Sequence, residues 1–339
     1  MENVKLVEKQ MIATITLNPC LDRFLSVYGL VVDEVNRWAT TRLYAGGKGI
    51  DVSRAIHEVG GRTIAYGFIG GAAGRTLEIL LDEDAVSYSF TPIEQETRTN
   101  FIIVDTRTSQ QTRIDAPGPR ISRKEQERFY RKMERIYPRP SLVVAGGSIP
   151  PGIPANVYHA IVMAARKYEV RTILDSEGKW LEEGIKAKPY LIKPNVREAA
   201  EFLKTELPTE ESIVKAALSF VDMGVEIAVI SRGKDGIIAA DNKQIIKAVP
   251  PVVKVRSTLG AGDCTIAGLA TKLANQESLI EACRLATAMG AATAMTPGAE
   301  LCHRADVETL LPQINIEDVT SNYRVKVFAT GSRTKSTQT

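Results

Sequence analysis

The chain has 339 residues, of which 44% are hydrophobic and 24% charged, with a formal net charge of +3. That is enough chain to bury a full core, in one large domain or two modest ones, and the composition is that of a soluble globular protein. A charge this small, with Lys and Arg mixed among acids, argues against a nucleic acid as partner.

The opening stretch "MENVKLVEKQ" lacks the apolar core of a signal peptide, and no apolar run reaches membrane-spanning length. The expectation is a cytoplasmic protein with no membrane partner. "MIATITL" then reads as a buried strand. Residues 22–44 alternate apolar with polar ("RFLSVYGL", "RWATTRLY"), as a hairpin with one wet face would. A helix is predicted over 49–59, a buried strand at "TIAYGFIG" and another helix over 74–83. Residues 88–115 repeat the alternating pattern, and the two hairpins together read as a small β-sheet lid.

From there the rhythm is regular. Helix 122–136, strand "SLVVAGG", helix 155–168, strands "RTILD" and "YLIKPN", helix 209–223, strand "EIAVISRG" and helices 263–274 and 279–295 follow in turn. The end, from about residue 318, is polar and Ser/Thr-rich and reads as a loosely attached tail. Strand–helix alternation on this scale predicts an α/β fold: a mainly parallel central sheet with helices on both faces, plus the lid. Four scattered cysteines (Cys20, Cys264, Cys283, Cys302) without a C-x-x-C pair, and three histidines, predict reduced thiols and no zinc site.

In open α/β sheets, ligands bind beyond the carboxyl ends of the strands. This chain keeps placing polar or glycine-rich turns there. They run from Asn18 to Asp22, from Gly46-Gly47-Lys48 to Asp51, at Gly147-Ser148, at Ser176-Glu177-Gly178, from Lys193 through Asn195 to Glu198, and from Ser231 to Gly236. Each has a plain structural alternative. "GGKG" also suits a turn with a cap, "SRGKDG" a hairpin turn before "IIAA", and Asn195 with Glu198 a capping box. Functionally, bare amides and Lys48 would hold sugar hydroxyls or phosphate, and Asn195 with Glu198 would hold waters around Mg²⁺. There is no G-x-x-x-x-G-K-[ST] and no G-x-G-x-x-G after the first strand, which excludes a P-loop and argues against a dinucleotide fold.

"RSTLGAGDCTIAGLATKLA" poses the sharpest choice. Gly260-Ala261-Gly262 and Asp263 open an apolar helix, either as ordinary capping or as an anion hole with a base beside it. "GGKGIDVSRAIHEVGG" together with "STLGAGDCTIAG" resembles the ribokinase-like (PfkB-type) carbohydrate kinases. "TLNPCLDR", "GSIPPG", "LDSEG", "IKPNVRE" and "SRGKDG" fall in that family's order. The similarity runs from about residue 11 to 312 as one kinase domain, with the lid at about 22–44 and 88–115, and leaves 313–339 as a C-terminal extension and polar tail. Within the family the motifs are similar to the phosphosugar branch, above all 6-phosphofructokinases of the non-P-loop type, with 1-phosphofructokinases and tagatose-6-phosphate kinases as near relatives.

The resemblance implies roles. Asp263 would be the general base and Gly260, Ala261 and Gly262 the anion hole of the transferring phosphoryl group. Lys193, Asn195, Ser231, Gly233, Gly236 and Thr258 would hold ATP, with Asn195 and Glu198 reaching Mg²⁺ through water. A monovalent cation such as K⁺ is compatible with this set. Asp22, Gly46, Gly47, Asp51 and Ser148 would face the sugar, and Arg37, Lys48, Arg98 and Arg113 the phosphate it already carries. One departure stands out, because the family usually has Asn where this chain has Asp51. An amide donates and accepts, whereas an ionised carboxylate only accepts and repels a phosphosugar.

The implied activity is ATP-dependent phosphorylation of fructose 6-phosphate, with fructose 1-phosphate and tagatose 6-phosphate as alternatives. An unphosphorylated sugar or nucleoside would leave Arg98 without a partner, and an inactive binding protein would have no use for Asp263. Phe24, Leu25, Val27, Trp38, Phe101 and Ile103 give the lid an apolar face that a hairpin cannot leave in water. A homodimer through the lid is therefore expected, with Arg37 reaching the neighbouring site.

Overall fold

The structure, a computed structural model, describes residues 10–136 and 139–323. Its first strand, β1 (Met11–Thr16), is buried from Ile12 onward. The chain then leaves the body for a hairpin, β2 (Cys20–Val27) and β3 (Trp38–Gly46). It returns in α1 (Lys48–Glu58), β4 (Arg62–Ile69) and α2 (Gly71–Glu83). A two-residue strand, β5 (Thr91–Pro92), precedes a second hairpin, β6 (Arg98–Asp105) and β7 (Gln110–Ile114).

Helices and strands alternate after that. They are α3 (Arg123–Glu134), β8 (Leu142–Gly146), α4 (Val157–Lys167), β9 (Arg171–Asp175), α5 (Gly178–Ile185) and β10 (Leu191–Ile192). Next come α6 (Val196–Leu203), α7 (Glu210–Asp222), β11 (Ile227–Ser231), β12 (Ile237–Ala240) and β13 (Ile245–Val249). Helices α8 (Ala261–Ala274), α9 (Leu279–Met295) and α10 (Arg304–Leu310) lead to a last strand, β14 (Asn315–Asp318).

Ten strands form one sheet in the order β14-β13-β12-β11-β10-β9-β8-β1-β4-β5. From β11 to β5 every pairing is parallel, and β12, β13 and β14 add an antiparallel edge. One face is covered by α1, α8 and α9, the other by α3, α4 and α7. The expected mixed α/β architecture is therefore the observed one. Helix α8 sits against α9 almost backbone to backbone, since a Cβ on Gly268 would lie 2.5 Å from the Ala286 Cα. That close seat fixes where the N-terminus of α8 points.

The remaining strands make the small sheet, β3-β2-β6-β7. Its extent differs from the expected lid. Residues 88–97 belong to the body, where Tyr88 bridges to Ala65 and β5 pairs with β4, because Val86, Phe90 and Ile93 are buried. The second lid hairpin thus begins at Arg98. Helices α5 and α10 fall outside the predicted elements, being 8 and 7 residues long and too short to show a period, while α6, also 8 residues, is signalled only by the capping-box reading of Asn195 and Glu198. The chain near 318 is not loose: β14 pairs with β13, the Val319 N–H donates to the Ile245 carbonyl at 2.9 Å, and Val319 is buried. The Ser/Thr-rich end beyond Tyr323 lies outside the described residues.

Candidate functional site

The carboxyl ends of β1, β8 and β9 open under the lid into a cleft of about 910 Å³. Asp22, Gly47, Lys48, Asp51, Arg98, Arg113, Ser148, Gly260 and Asp263 all line it. Residues as far apart in sequence as Asp22 and Asp263 meet there because each crossover of a parallel sheet returns the chain to the same rim.

Asp263 lies in the first turn of α8. The helix starts at Gly260, whose φ of +76° and whose missing Cβ, which would lie 2.5 Å from Leu301 Cδ2, both demand glycine. No side chain caps this helix; the Ala261 N–H makes one long bond, to the Thr258 carbonyl at 3.4 Å, and the positive end of the dipole has no anionic side chain bonded across it. A Cβ on Gly262 would have only the Lys193 Nζ nearby, at 3.5 Å. The turn is bare on the side facing that ammonium.

The Asp263 Oδ1 is buried and has no hydrogen-bond partner. Its nearest cation, Lys48 Nζ, stands 3.9 Å away because that ammonium is bonded to Asp175 Oδ2 at 2.8 Å. Burial pushes the Asp263 carboxyl up to about 6, against the pull of Lys48 and with a further push from Asp175. Asp175 itself, buried at the end of β9, stays low because Lys193 and Lys48 outweigh its desolvation. For Lys48, burial acts downward, but Asp175 and Asp263 hold its ammonium well above the usual lysine range. The motif reading passed over Asp175. An acid ending an otherwise apolar strand was the one available signal.

On the lid side, Asp22 accepts from Asn100 Nδ2 at 2.9 Å. Gly46 is required there, since a Cβ would lie 2.6 Å from Asp22 Oδ2, and Gly47 has φ +120° with Thr16 Cγ2 where its Cβ would be. Arg98 donates to the Asn18 and Ala116 carbonyls, and Arg113 Nε donates to Asp115 Oδ1 at 2.7 Å. Ser148 Oγ accepts from Asn18 Nδ2 at 3.0 Å, while the Asn18 Oδ1 is buried without a partner. Asn18, which lines this wall, and Asn100, fully buried behind Asp22, are two polar groups outside the predicted site residues.

The other expected residues lie apart from the cleft. Lys193, 5% exposed, sits 3.9 Å from Asp175 Oδ1 and beside Gly262. The Ser231 N–H donates to the Pro194 carbonyl at 3.1 Å, so the ends of β10 and β11 lie together. Gly233 and Gly236 belong to a tight turn joining antiparallel β11 and β12, so the hairpin reading of "SRGKDG" holds. A Cβ on Gly233 would touch nothing within 4 Å, which leaves that backbone open. Thr258 is exposed just before α8. Arg37 is exposed on the β2–β3 loop and is not part of the cleft wall. Its expected place beside the sugar phosphate within one chain is not met.

Asn195 and Glu198 do form the capping box, with Asn195 Oδ1 accepting from the Glu198 N–H at 2.9 Å and Glu198 Oε2 from the Asn195 N–H at 3.0 Å. Among the described residues no group of three or more His, Cys, Asp or Glu could hold a metal directly. The second Glu198 oxygen remains outside the box, and its charge reaches Lys48. That donor set fits a hydrated Mg²⁺ held through its waters rather than a protein cage.

A model described as pfkB family carbohydrate kinase matches residues 15–306. The chain is 34% identical over 314 residues to a tagatose-6-phosphate kinase of Staphylococcus epidermidis, covering 91% of this chain and 100% of that one. It is 35% identical over 301 residues to an ATP-dependent 6-phosphofructokinase isozyme 2 of Mycobacterium tuberculosis, covering 88% of each. Its fold matches the Escherichia coli phosphofructokinase-2 solved in complex with potassium, with a TM-score of 0.86 at 31% identity over 90% of this chain and 99% of that one.

Proposed function

The chain belongs to the pfkB family of carbohydrate kinases, and from that premise we propose that it phosphorylates a phosphorylated ketohexose with ATP, fructose 6-phosphate before its isomers. One observation carries the reading: a buried, unpartnered Asp263 oxygen at a bare helix start, in the same cleft as Lys48, Arg98 and Arg113. A carboxylate so placed suits removal of a proton, and three cations suit a substrate that arrives charged.

In this mechanism the acceptor hydroxyl of the sugar donates to Asp263 Oδ1 and loses its proton there as the phosphoryl group arrives. The first-turn amides at Gly260, Ala261 and Gly262 take the charge spreading over the phosphoryl oxygens, and Lys193 stands on the same side. Asp175 holds Lys48 at 2.8 Å, so the ammonium neutralises the phosphates without capturing the base. Arg98 and Arg113 orient the phosphate the sugar already carries. Asp22, Ser148 and the Gly46–Gly47 turn hold its hydroxyls. Asn195 and Glu198 would keep the waters of Mg²⁺, which supplies charge neutralisation on the ATP phosphates when bound, and K⁺ is a candidate activator. Ser231, Gly233, Gly236 and Thr258 would bound the ATP side.

We extend the proposal to a homodimer through the lid, Arg37 being at the partner's cleft. Supporting it, Tyr28, Val32 and Val35 are 78%, 89% and 80% exposed and Trp38 61%. The exposed set differs from the one expected. Val27 is buried, and a Cβ on Gly298 of the body would touch Phe24 at 2.8 Å, so these two turn inward.

Coupled release of ADP with a panel of sugars and sugar phosphates tests the reading. Fructose 6-phosphate should give the highest kcat/KM. A higher value with fructose 1-phosphate or tagatose 6-phosphate would replace the substrate, and no release with any of them would end the proposal.

A further inference from the structure

Five carboxyl groups line the cleft: Asp115 is bonded to Arg113 at 2.7 Å, Glu177 stands at the start of α5, and the other three are Asp22 from β2, Asp51 from the first turn of α1 and Asp263 from α8. Their company differs. Asp22 accepts from Asn100 Nδ2 at 2.9 Å and from the Cys20 thiol at 3.2 Å. Asp263 faces Lys48, Lys193 and Arg113. Asp51 has a single cation, Arg54, whose Nη1 stands 3.6 Å away while its Nε is bonded to Asp84 at 2.7 Å. Among the described residues, no group donates a hydrogen bond to the Asp51 carboxyl.

The rest of its surroundings add no positive charge that is free. On α1, the Lys48 ammonium is turned to Asp175. From β2 come Asp22 and the Cys20 thiol, from α8 Asp263 and the Cys264 thiol, and from β3 Tyr44 on the same wall. On β4, Thr63 meets Ser53 of α1, so the alternating Arg62 and Tyr66 point to the other face of the sheet. Neither β1 nor β8, the other strands beneath α1, carries a titratable side chain.

We propose that Asp51 works as a neutral carboxylic acid that donates a hydrogen bond to a hydroxyl oxygen of the sugar, making it a specificity-determining residue of the cleft. A protonated carboxyl has one O–H to give and one oxygen to receive, which is what an amide offers at such a place. Ionised, it would add one more negative charge to the cleft, with only a shared guanidinium beside it, and would repel an incoming phosphosugar. Burial is the largest influence, and it lifts the Asp51 carboxyl well above the usual range. Asp263 adds to that lift, and Arg54 opposes it only in part. The departure from Asn at this position therefore keeps the amide's hydrogen bonding while adding a proton that alkali can remove. The inference rests on the kinase reading above.

The test compares wild type with Asp51→Asn and Asp51→Ala. At pH 8, where Asp263 is ionised, the infrared difference spectrum of wild type against Asp51→Asn should show the carbonyl stretch of a protonated carboxyl. Asp51→Asn should keep kcat/KM for the sugar phosphate within about threefold at pH 7, whereas Asp51→Ala should lose about tenfold, mostly in KM for the sugar and not for ATP. A missing carbonyl band, or an Asn variant as impaired as the Ala variant, overturns the proposal. If wild type phosphorylates no ketohexose phosphate at all, the kinase reading falls, and the infrared band still decides whether Asp51 is neutral.

Discussion

Lys48 Nζ lies 2.8 Å from Asp175 Oδ2 and 3.9 Å from Asp263 Oδ1. One ammonium thus serves two buried carboxylates unequally. Lys193 and the nearer Lys48 bond keep Asp175 low against its desolvation, while the longer contact leaves Asp263 close to a cation yet without a donor on its buried Oδ1. A base paired as tightly as Asp175 could not accept a proton near neutral pH. A difference of about an ångström separates the ion-pair partner from the proposed base.

Asp263→Asn should bind ATP and sugar phosphate nearly as wild type does and lose about 10²–10⁴-fold in kcat, the usual cost of a missing general base. Steady-state kinetics with the preferred sugar phosphate reads this directly. A rate above about a tenth of wild type would remove Asp263 from the role. The same variant should be more stable than wild type at pH 8. The folded carboxyl is raised to about 6 from 3.8, so its stabilising share is complete below pH 3.8 and lost as pH rises through about 6. Asn never ionises, and urea melts at pH 8 should favour it by about 1–3 kcal/mol.

The acid limb of kcat/KM should lie near pH 6, because Asp263 must be ionised to take a proton. Asp175→Asn should release Lys48 towards Asp263 and lower that limb by about one unit, along with the rate. An unchanged limb in a folded variant would contradict the partition of Lys48 between the two acids.

Arg98→Ala should raise KM for the sugar phosphate about 10–100-fold and leave KM for ATP within about twofold, as expected for the loss of a charge-assisted contact to phosphate. Equal effects on both substrates would place Arg98 elsewhere. Circular dichroism guards against a folding artefact, since Arg98 also ties the Asn18 and Ala116 carbonyls together.

Light scattering at micromolar concentration should give twice the mass of the 37.0 kDa chain. Val32→Asp combined with Val35→Asp should yield monomers, since both side chains are almost fully exposed in the isolated subunit. A monomeric wild type with full activity would end the lid proposal.

Much of this was legible in the residues. A glycine forced to positive φ, as at Gly47 and Gly260, leaves a local mark, and so does an acid in the first turn of an apolar helix. Long buried strands and helices of eleven residues or more declare their period within one window, so the parallel sheet and its two helical layers could be written down in advance. Pairings across distant segments left no such mark. That Lys48 turns to Asp175, 127 residues on, rather than to Asp263 is set by how β9 and α8 stand against α1. That Arg37 stays outside the cleft, that Tyr88 belongs to the body and that Asp51 has only a shared guanidinium are likewise matters of packing. Local periodicity records which face a side chain takes. Only the folded chain decides which charges meet in a space without water, and there burial and a shift of about an ångström set how strongly each carboxyl is paired.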